Sequence, residues 1–237
     1  MSFLIQLMTS KISQFICILF FFHSLNAQEV NSCIQFRPVF QNQTIELNKT
    51  YFQVGTKDSV RVEKIKFYIS DILFLLDSVV VDSVKQKFWL MDADKPKGLL
   101  IPFTSSAKFN QIAFSIGIDS ITNVSGALGG DLDPTKGMYW TWQSGYVNFK
   151  LEGHSSASAE ENGEFQFHIG GYQYPYCMIQ KVHLATHSNQ RISVDVDLQK
   201  LLNKIDLSKT FQAMSPSQKA LEIAKKLPSI FAISDER

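Results

Sequence analysis

The feature that most constrains the fold is the run from Val60 to Leu75, VRVEKIKFYISDILFL, together with the shorter runs that resemble it. Phe67 to Leu73 alternates apolar with mixed side chains, the period of a pleated strand, and the apolar tail through Leu76 suits a strand covered on both faces. Ile34 to Phe40, Lys87 to Met91, Phe109 to Ile118, Trp140 to Leu151, Gly163 to Ile169, Cys177 to His183 and Arg191 to Leu198 are likewise rich in Phe, Ile, Val and Tyr and are separated by turn residues. That spacing predicts an all-β fold, an antiparallel β-sandwich or barrel-like sandwich. The chain contains no internal repeat, low-complexity tract or proline-rich linker.

The C-terminal part departs from this pattern. Ser215-Pro216-Ser217-Gln218 reads as a capping box with proline at the first helical position, and Ala220, Leu221, Ala224 and Leu227 recur at helical spacing until Pro228. A short C-terminal helix is therefore predicted, with another turn of helix around Leu198 to Lys204. Lys219, Lys225 and Lys226 belong to the solvated face.

The other end carries a targeting signature. Lys11 precedes the apolar run Phe15 to Phe22, too short to span a bilayer, and Ser24-Leu25-Asn26-Ala27 reads as a cleavage region. Residues 1–27 are expected to be a signal peptide and residues 28–237 one domain. Val30-Asn31-Ser32-Cys33 faintly suggests lipoprotein processing, although Cys33 lies far beyond the apolar run. The expected location is periplasmic or secreted. The remaining stretch of about 210 residues is enough to bury a sizeable core. A formal charge of +1 without any basic run interleaved with aromatics gives no reason to expect a nucleic-acid partner.

With Cys17 in the signal, Cys33 and Cys177 form an even pair in an oxidising compartment, where a disulfide between them is expected. A free buried thiol and a metal thiolate are the alternatives; no second cysteine stands at the short spacing of metal sites.

Leu132 to Glu152, LDPTKGMYWTWQSGYVNFKLE, concentrates an Asp-Pro turn and two tryptophans in one strand-like run. In an extended strand, Trp140 and Trp142 project from the same face with Met138. Ser144-Gly145 interrupts the run, a pattern that suggests a bulge or a close backbone approach. Just before it, Asp119 to Pro134 forms the longest irregular connection. Its Asp119, Asn123, Asp131 and Asp133 are oxygen donors suited to calcium or, as their spacing misses an EF-hand, to turn stabilisation.

Four histidines lie beyond the signal. In Phe165-Gln166-Phe167-His168-Ile169 the odd positions are apolar, which puts His168 and Gln166 on the face away from the core and leaves His168 available. Gly170 and Gly171 permit a close approach or a turn beside it. His183 sits in a strand and faces either way, His154 follows Glu152-Gly153 ahead of the loop SSASAEENG, and His187 adjoins a turn. No pair has a two-histidine spacing on a shared strand face, so any metal site must be assembled from separate strands.

The blocks FYISD (Phe67 to Asp71), IDSITNVSGALGG, LDPTKGMYWTWQSGYVNFKLEG and FQFHIGG (Phe165 to Gly171) resemble, in order and spacing, the MbnP-like copper-binding family of secreted and periplasmic proteins. The resemblance covers most of the chain after the signal. It implies copper held by histidine imidazoles helped by kynurenine, the oxidation product of a tryptophan, and a dihaem cytochrome c peroxidase-like enzyme as partner in that oxidation. The candidate ligands are then His168, His183 and His154, with Trp140 or Trp142 as the modified residue. Neutral imidazole suits both copper oxidation states, whereas an intact indole nitrogen donates rather than accepts. Two departures stand out. Some relatives carry a histidine two residues after the modified tryptophan, where this chain has Trp142 if Trp140 is modified, and a four-cysteine motif of some members is reduced here to two.

The expected function is non-enzymatic: a copper-binding protein of the envelope or secretome in storage, scavenging or delivery. The alternative is an adhesion or carbohydrate-binding sandwich in which Trp140, Trp142, Tyr172, Tyr174 and Tyr176 act as stacking platforms. No Gly-x-Ser-x-Gly motif or Ser, His and Asp combination points to a hydrolase.

Overall fold

The computed structural model describes residues 32–53, 56, 58–143 and 145–234; the signal segment at residues 1–27 lies outside them. In chain order the first strands are β1 (Ser32–Phe40), β2 (Gln43–Thr44), β3 (Thr50–Phe52), β4 (Ser59–Leu76), β5 (Val79–Ser83), β6 (Phe88–Asp92), β7 (Leu100–Phe103) and β8 (Gln111–Ile116). Helix α1 (Ser120–Val124) follows, then β9 (Tyr139–Trp140), β10 (Gly145–Ser155), β11 (Glu164–Gly170), β12 (Gln180–Ala185) and β13 (Arg191–Asp197). The chain closes with α2 (Leu198–Leu202), β14 (Gln212–Ala213), α3 (Gln218–Ala224) and β15 (Phe231–Ile233).

The strands form a five-stranded sheet along β15-β13-β1-β2 with β7 on β1, and a ten-stranded sheet along β12-β8-β4-β10-β11-β14. The expected all-β sandwich is present, and most pairs are antiparallel; β1 with β13 and β11 with β14 run parallel. β4 is the spine of the larger sheet, pairing in turn with β3, β10, β6, β8 and β5. It sustains that many partners because its register shifts between Ser70 and Leu73, where Asp71 takes φ 50° and bends the strand.

Alternation sorts the side chains. Ile65, Phe67 and Ile69 of β4, Phe149 and Leu151 of β10, and Phe165, Phe167 and Ile169 of β11 point inward. There they meet Phe36 of β1, Val194 of β13 and Phe231 of β15 from the other sheet. The Phe67 ring lies 6.0 Å from Phe36, 6.0 Å from Phe149 and 5.8 Å from Phe231, so aromatic packing ties the two layers together. The predicted C-terminal helix is α3, which buries Ala220, Ile223 and Ala224 in this core. Its cap is Ser217, whose side chain accepts from the Ala220 amide, rather than Ser215.

Three local expectations are corrected. Trp140 to Leu151 is not one strand: β9 and β10 are the arms of a hairpin, with Gly145 opposite Trp140 and a turn over Thr141–Gln143. The Asp119–Pro134 connection is less irregular than its composition implies, since it contains α1 and a 3-10 turn at Gly130–Leu132. The Cys33–Cys177 bridge is not formed; Cys33, half-buried on β1, and the exposed Cys177 ahead of β12 are both free thiols.

Candidate functional site

The outward face of the larger sheet is where this chain departs from a plain sandwich. The residues between the inward ones are Lys64 and Lys66 on β4, Lys150, Glu152 and His154 on β10, and Gln166 and His168 on β11. Register sets them in rows: Lys150 pairs with Lys66 on one side and His168 on the other, and Glu152 pairs with Lys64 and Gln166. Two ammonium groups side by side repel. They are tolerated because Lys66 reaches Asp92 at 3.0 Å and Lys150 donates to the Gly137 carbonyl at 2.6 Å.

Glu152 is the hub. One carboxylate oxygen lies 2.7 Å from His168 Nε2 and the other accepts from Lys64 Nζ at 2.9 Å. The hydrogen bond with His168, reinforced by Lys64 and opposed by partial burial, holds the Glu152 carboxyl down at about 2. Burial pushes the Lys150 ammonium below its usual range, Lys64 and Lys66 push the same way, and Glu152 acts against them. His168 itself is buried, at 8 % exposure, so the available imidazole expected from the alternation is engaged. With the carboxylate at Nε2, that nitrogen carries the proton of the neutral ring and Nδ1 is the lone-pair nitrogen, the arrangement in which a histidine is oriented to ligate.

Next to this charged patch, the same face turns apolar. Tyr68, Leu90, Ile118, Leu132, Met138, Trp140, Tyr146 and Val147 form a second cluster, separate from the main core. The segment from Asp119 to Gly137 roofs it. Each oxygen donor of that segment has a structural partner: Asp119 caps α1 and pairs with Lys87, and Asn123 accepts from the Tyr146 amide. Asp131 pairs with Lys136 and accepts from the Leu90 amide, and Asp133 caps the turn at Thr135. The turn-stabilising reading therefore accounts for all four carbonyl-bearing side chains without calcium.

Trp140 sits at the border. It is 8 % exposed, whereas Trp142, beyond the strand in the turn, is 64 % exposed; the rings remain in contact with centroids 5.6 Å apart. The single indole-bearing strand face is thus replaced by one buried and one open indole. Gly170 makes Trp140's position possible, because a Cβ there would stand 2.9 Å from the Trp140 ring and 2.5 Å from the Tyr146 carbonyl oxygen. Gly170 is two residues from His168 on β11, so Trp140 covers the neighbouring position of the face that carries the imidazole.

The other imidazoles do not join it. His154, expected between the tryptophan strand and the loop SSASAEENG, lies near the end of β10 and faces Glu63 at 3.1 Å and Arg61 at 3.2 Å, in register with Glu164 rather than His168. His183 is exposed on β12, at the far edge of the sheet beyond β8 and β4, and His187 is exposed after that strand. Among the described residues no three His, Cys, Asp or Glu side chains come together to hold a metal ion. The unmodified donor set, one carboxylate-bound imidazole flanked by lysines, does not fit a multi-histidine copper site. Glu152, Lys64, Lys66 and Lys150 escaped the sequence reading. Their signal was there, in the alternation of EKIKF and NFKLE, but only the register shows that the two segments meet.

Among the described residues no helix is long and apolar enough to cross a membrane. Comparison with known proteins gives a family model, MbnP, that matches residues 29–219. Among solved structures, MbnP from Methylosinus trichosporium superposes with a TM-score of 0.62 at 14% identity, covering 85% of this chain and 97% of that one. No curated protein sequence matches significantly. At that identity the superposition speaks for a common fold, while the family match spans most of the described residues and takes in β1 to β14, the roof and the tryptophan hairpin: the chain belongs to the MbnP family.

Proposed function

We propose that this chain is a non-catalytic, extracytoplasmic copper-handling protein whose binding site is completed by oxidation of Trp140. The observation that supports the reading is the juxtaposition of an imidazole oriented by Glu152 with an indole covering the adjacent position of the same sheet face. Among the described residues the unmodified chain brings together too few donors. Oxidation changes that: two oxygen atoms from peroxide cleave the indole C2–C3 bond to N-formylkynurenine with release of two waters, and hydrolysis removes formate to leave an aryl amine. The oxidant is two equivalents of peroxide, used by the dihaem cytochrome c peroxidase-like partner that the family resemblance suggests. The resulting amine has a nitrogen lone pair that the indole lacks. Location outside the cytoplasm rests on the targeting signature at residues 1–27.

The test is a Cu(I) competition titration on natively expressed protein and on protein made without the partner enzyme. Peptide mass spectrometry across Tyr139 to Lys150 reads the conversion as a gain of about 4 Da. Oxidised protein is expected to bind at least about tenfold more tightly, with the gain lost in His168→Ala and in Trp140→Phe but kept in Trp142→Phe. Equal affinity of the two forms sinks the reading.

A further inference from the structure

At the same end of the sandwich as the tryptophan turn, the segment Gly171–Cys177 folds into a closed loop whose purpose the copper reading does not touch. Tyr176 N donates to the Gln173 carbonyl at 2.7 Å, Met178 N donates to the Gly171 carbonyl at 2.9 Å, and Ser120 Oγ donates to the Tyr172 carbonyl at 3.2 Å. Gly171, with φ +134°, lets the Tyr176 carbonyl approach within 2.6 Å of where a Cβ would lie. The loop is therefore tied down before any ligand arrives, which lowers the entropy cost of binding.

This loop encloses a cleft of about 130 Å3, lined by Gly171, Tyr172, Gln173, Tyr174 and Tyr176 together with Gln143 from the tryptophan turn and Pro216 ahead of α3. Two features of the lining are informative. None of its side chains is charged, so neither a phosphate, a carboxylated ligand nor a cation finds a counter-charge. Its chemistry is instead aromatic faces combined with two carboxamides, each of which both donates and accepts. Tyr174 is 97 % exposed and Trp142, next to Gln143, is 64 % exposed, so two large rings stand in solvent beside the cleft without serving the core.

We propose that this cleft binds one ring of a neutral glycan. The C–H bonds on one face of a pyranose carry slight positive charge and stack on the electron-rich face of a tyrosine or tryptophan. The vicinal hydroxyls alternate as donors and acceptors, a pattern that the Gln143 and Gln173 carboxamides match and that a purely aromatic groove for proline-rich peptide does not need. The volume is on the scale of one sugar ring, so further rings of a chain extend across Tyr174 and Trp142. Trp140, buried under the roof, takes no part. The site is independent of the copper reading and shares none of its residues.

Titration of the full-length mature protein with cellohexaose, laminarihexaose, mannohexaose and chitohexaose tests this, with polygalacturonate as the acidic control and decaproline as the peptide control. Tryptophan emission and calorimetry give the two readouts. At least one neutral hexasaccharide is expected to bind below about 1 mM. Tyr174→Ala and Gln143→Ala should each weaken it about tenfold or more, and His168→Ala should leave it unchanged. Tyr174 is solvent-exposed, so its variant keeps the fold, and circular dichroism of both variants checks this. Absence of binding by all four neutral sugars, binding of polygalacturonate or decaproline alone, or neutral-sugar binding indifferent to both variants overturns the proposal.

Discussion

The two halves of the outward face of the large sheet are built on the same strands and held by opposite means. On β4, Lys64 and Lys66 lead directly to Tyr68; on β10, Tyr146 and Val147 lead to Lys150 and Glu152. One half is apolar and roofed by the Asp119–Gly137 segment, with Tyr68 fully buried, its ring 5.9 Å from Tyr146 and its hydroxyl donating to the Asp131 carbonyl. The other is ionic and held by the hub at Glu152. A β-strand does not have to choose one character along its length: what covers it decides. Where a loop excludes water, side chains pack; where none does, charges satisfy one another across the pleat. The border runs through Trp140, and Lys66 and Lys150 stitch it by donating to the Lys136 and Gly137 carbonyls at the end of the roof.

The comparison predicts a graded response to mutation. Tyr68→Ala leaves a large cavity under the roof and should cost about 3 to 5 kcal/mol in urea unfolding. A loss under about 1 kcal/mol would mean that the roof is a loose cover and that the two halves do not differ in packing. Gly170→Ala drives a methyl group into a backbone carbonyl and the Trp140 ring, and should cost about 1 to 3 kcal/mol with a red shift of tryptophan emission as the indole is displaced. An unchanged spectrum and melting temperature would remove Trp140 from its place beside the β11 face.

In the ionic half, Glu152→Gln keeps the shape but removes the charge that faces His168 and Lys64, and should cost about 1 to 2 kcal/mol at neutral pH. The sign of its pH dependence follows from a lowered folded-state value. The contribution is fully present above the ordinary 4.5 and is lost as the pH falls toward about 2, so the variant should show a flatter stability profile across that window. Parallel acid limbs for variant and parent would contradict the hub. Trp142→Ala, in the open turn, should change stability by less than about 0.5 kcal/mol while removing part of the fluorescence, because the ring covers little.

Much of the architecture was legible because two-residue alternation is a local property. Every strand segment read from the sequence has its counterpart, and the two helices read near Leu198 and after Ser215 are present, capped by Asp197 and Ser217, whereas α1 was read as irregular chain. The short strands β2, β3, β5, β7, β14 and β15 were missed, since two to five residues carry too little periodicity to register and are fixed by their partners. The hairpin at Trp140–Gly145 was misread for a related reason. Tyr-Trp-Thr-Trp is as good a strand by composition as any in the chain, and only the pairing of Gly145 with Trp140 turns it back on itself.

By itself the sequence determined which side chains face the core, because alternation in a strand leaves no other choice once the apolar positions are set; it also placed His168 on the opposite face. The tertiary structure alone decided what His168 meets there. Register between β4, β10 and β11 is a long-range property fixed by packing of the inward faces and by the bulges, and it brings Glu152 to the imidazole, leaves His154 and His183 elsewhere, and buries one tryptophan of a pair that looks equivalent on paper.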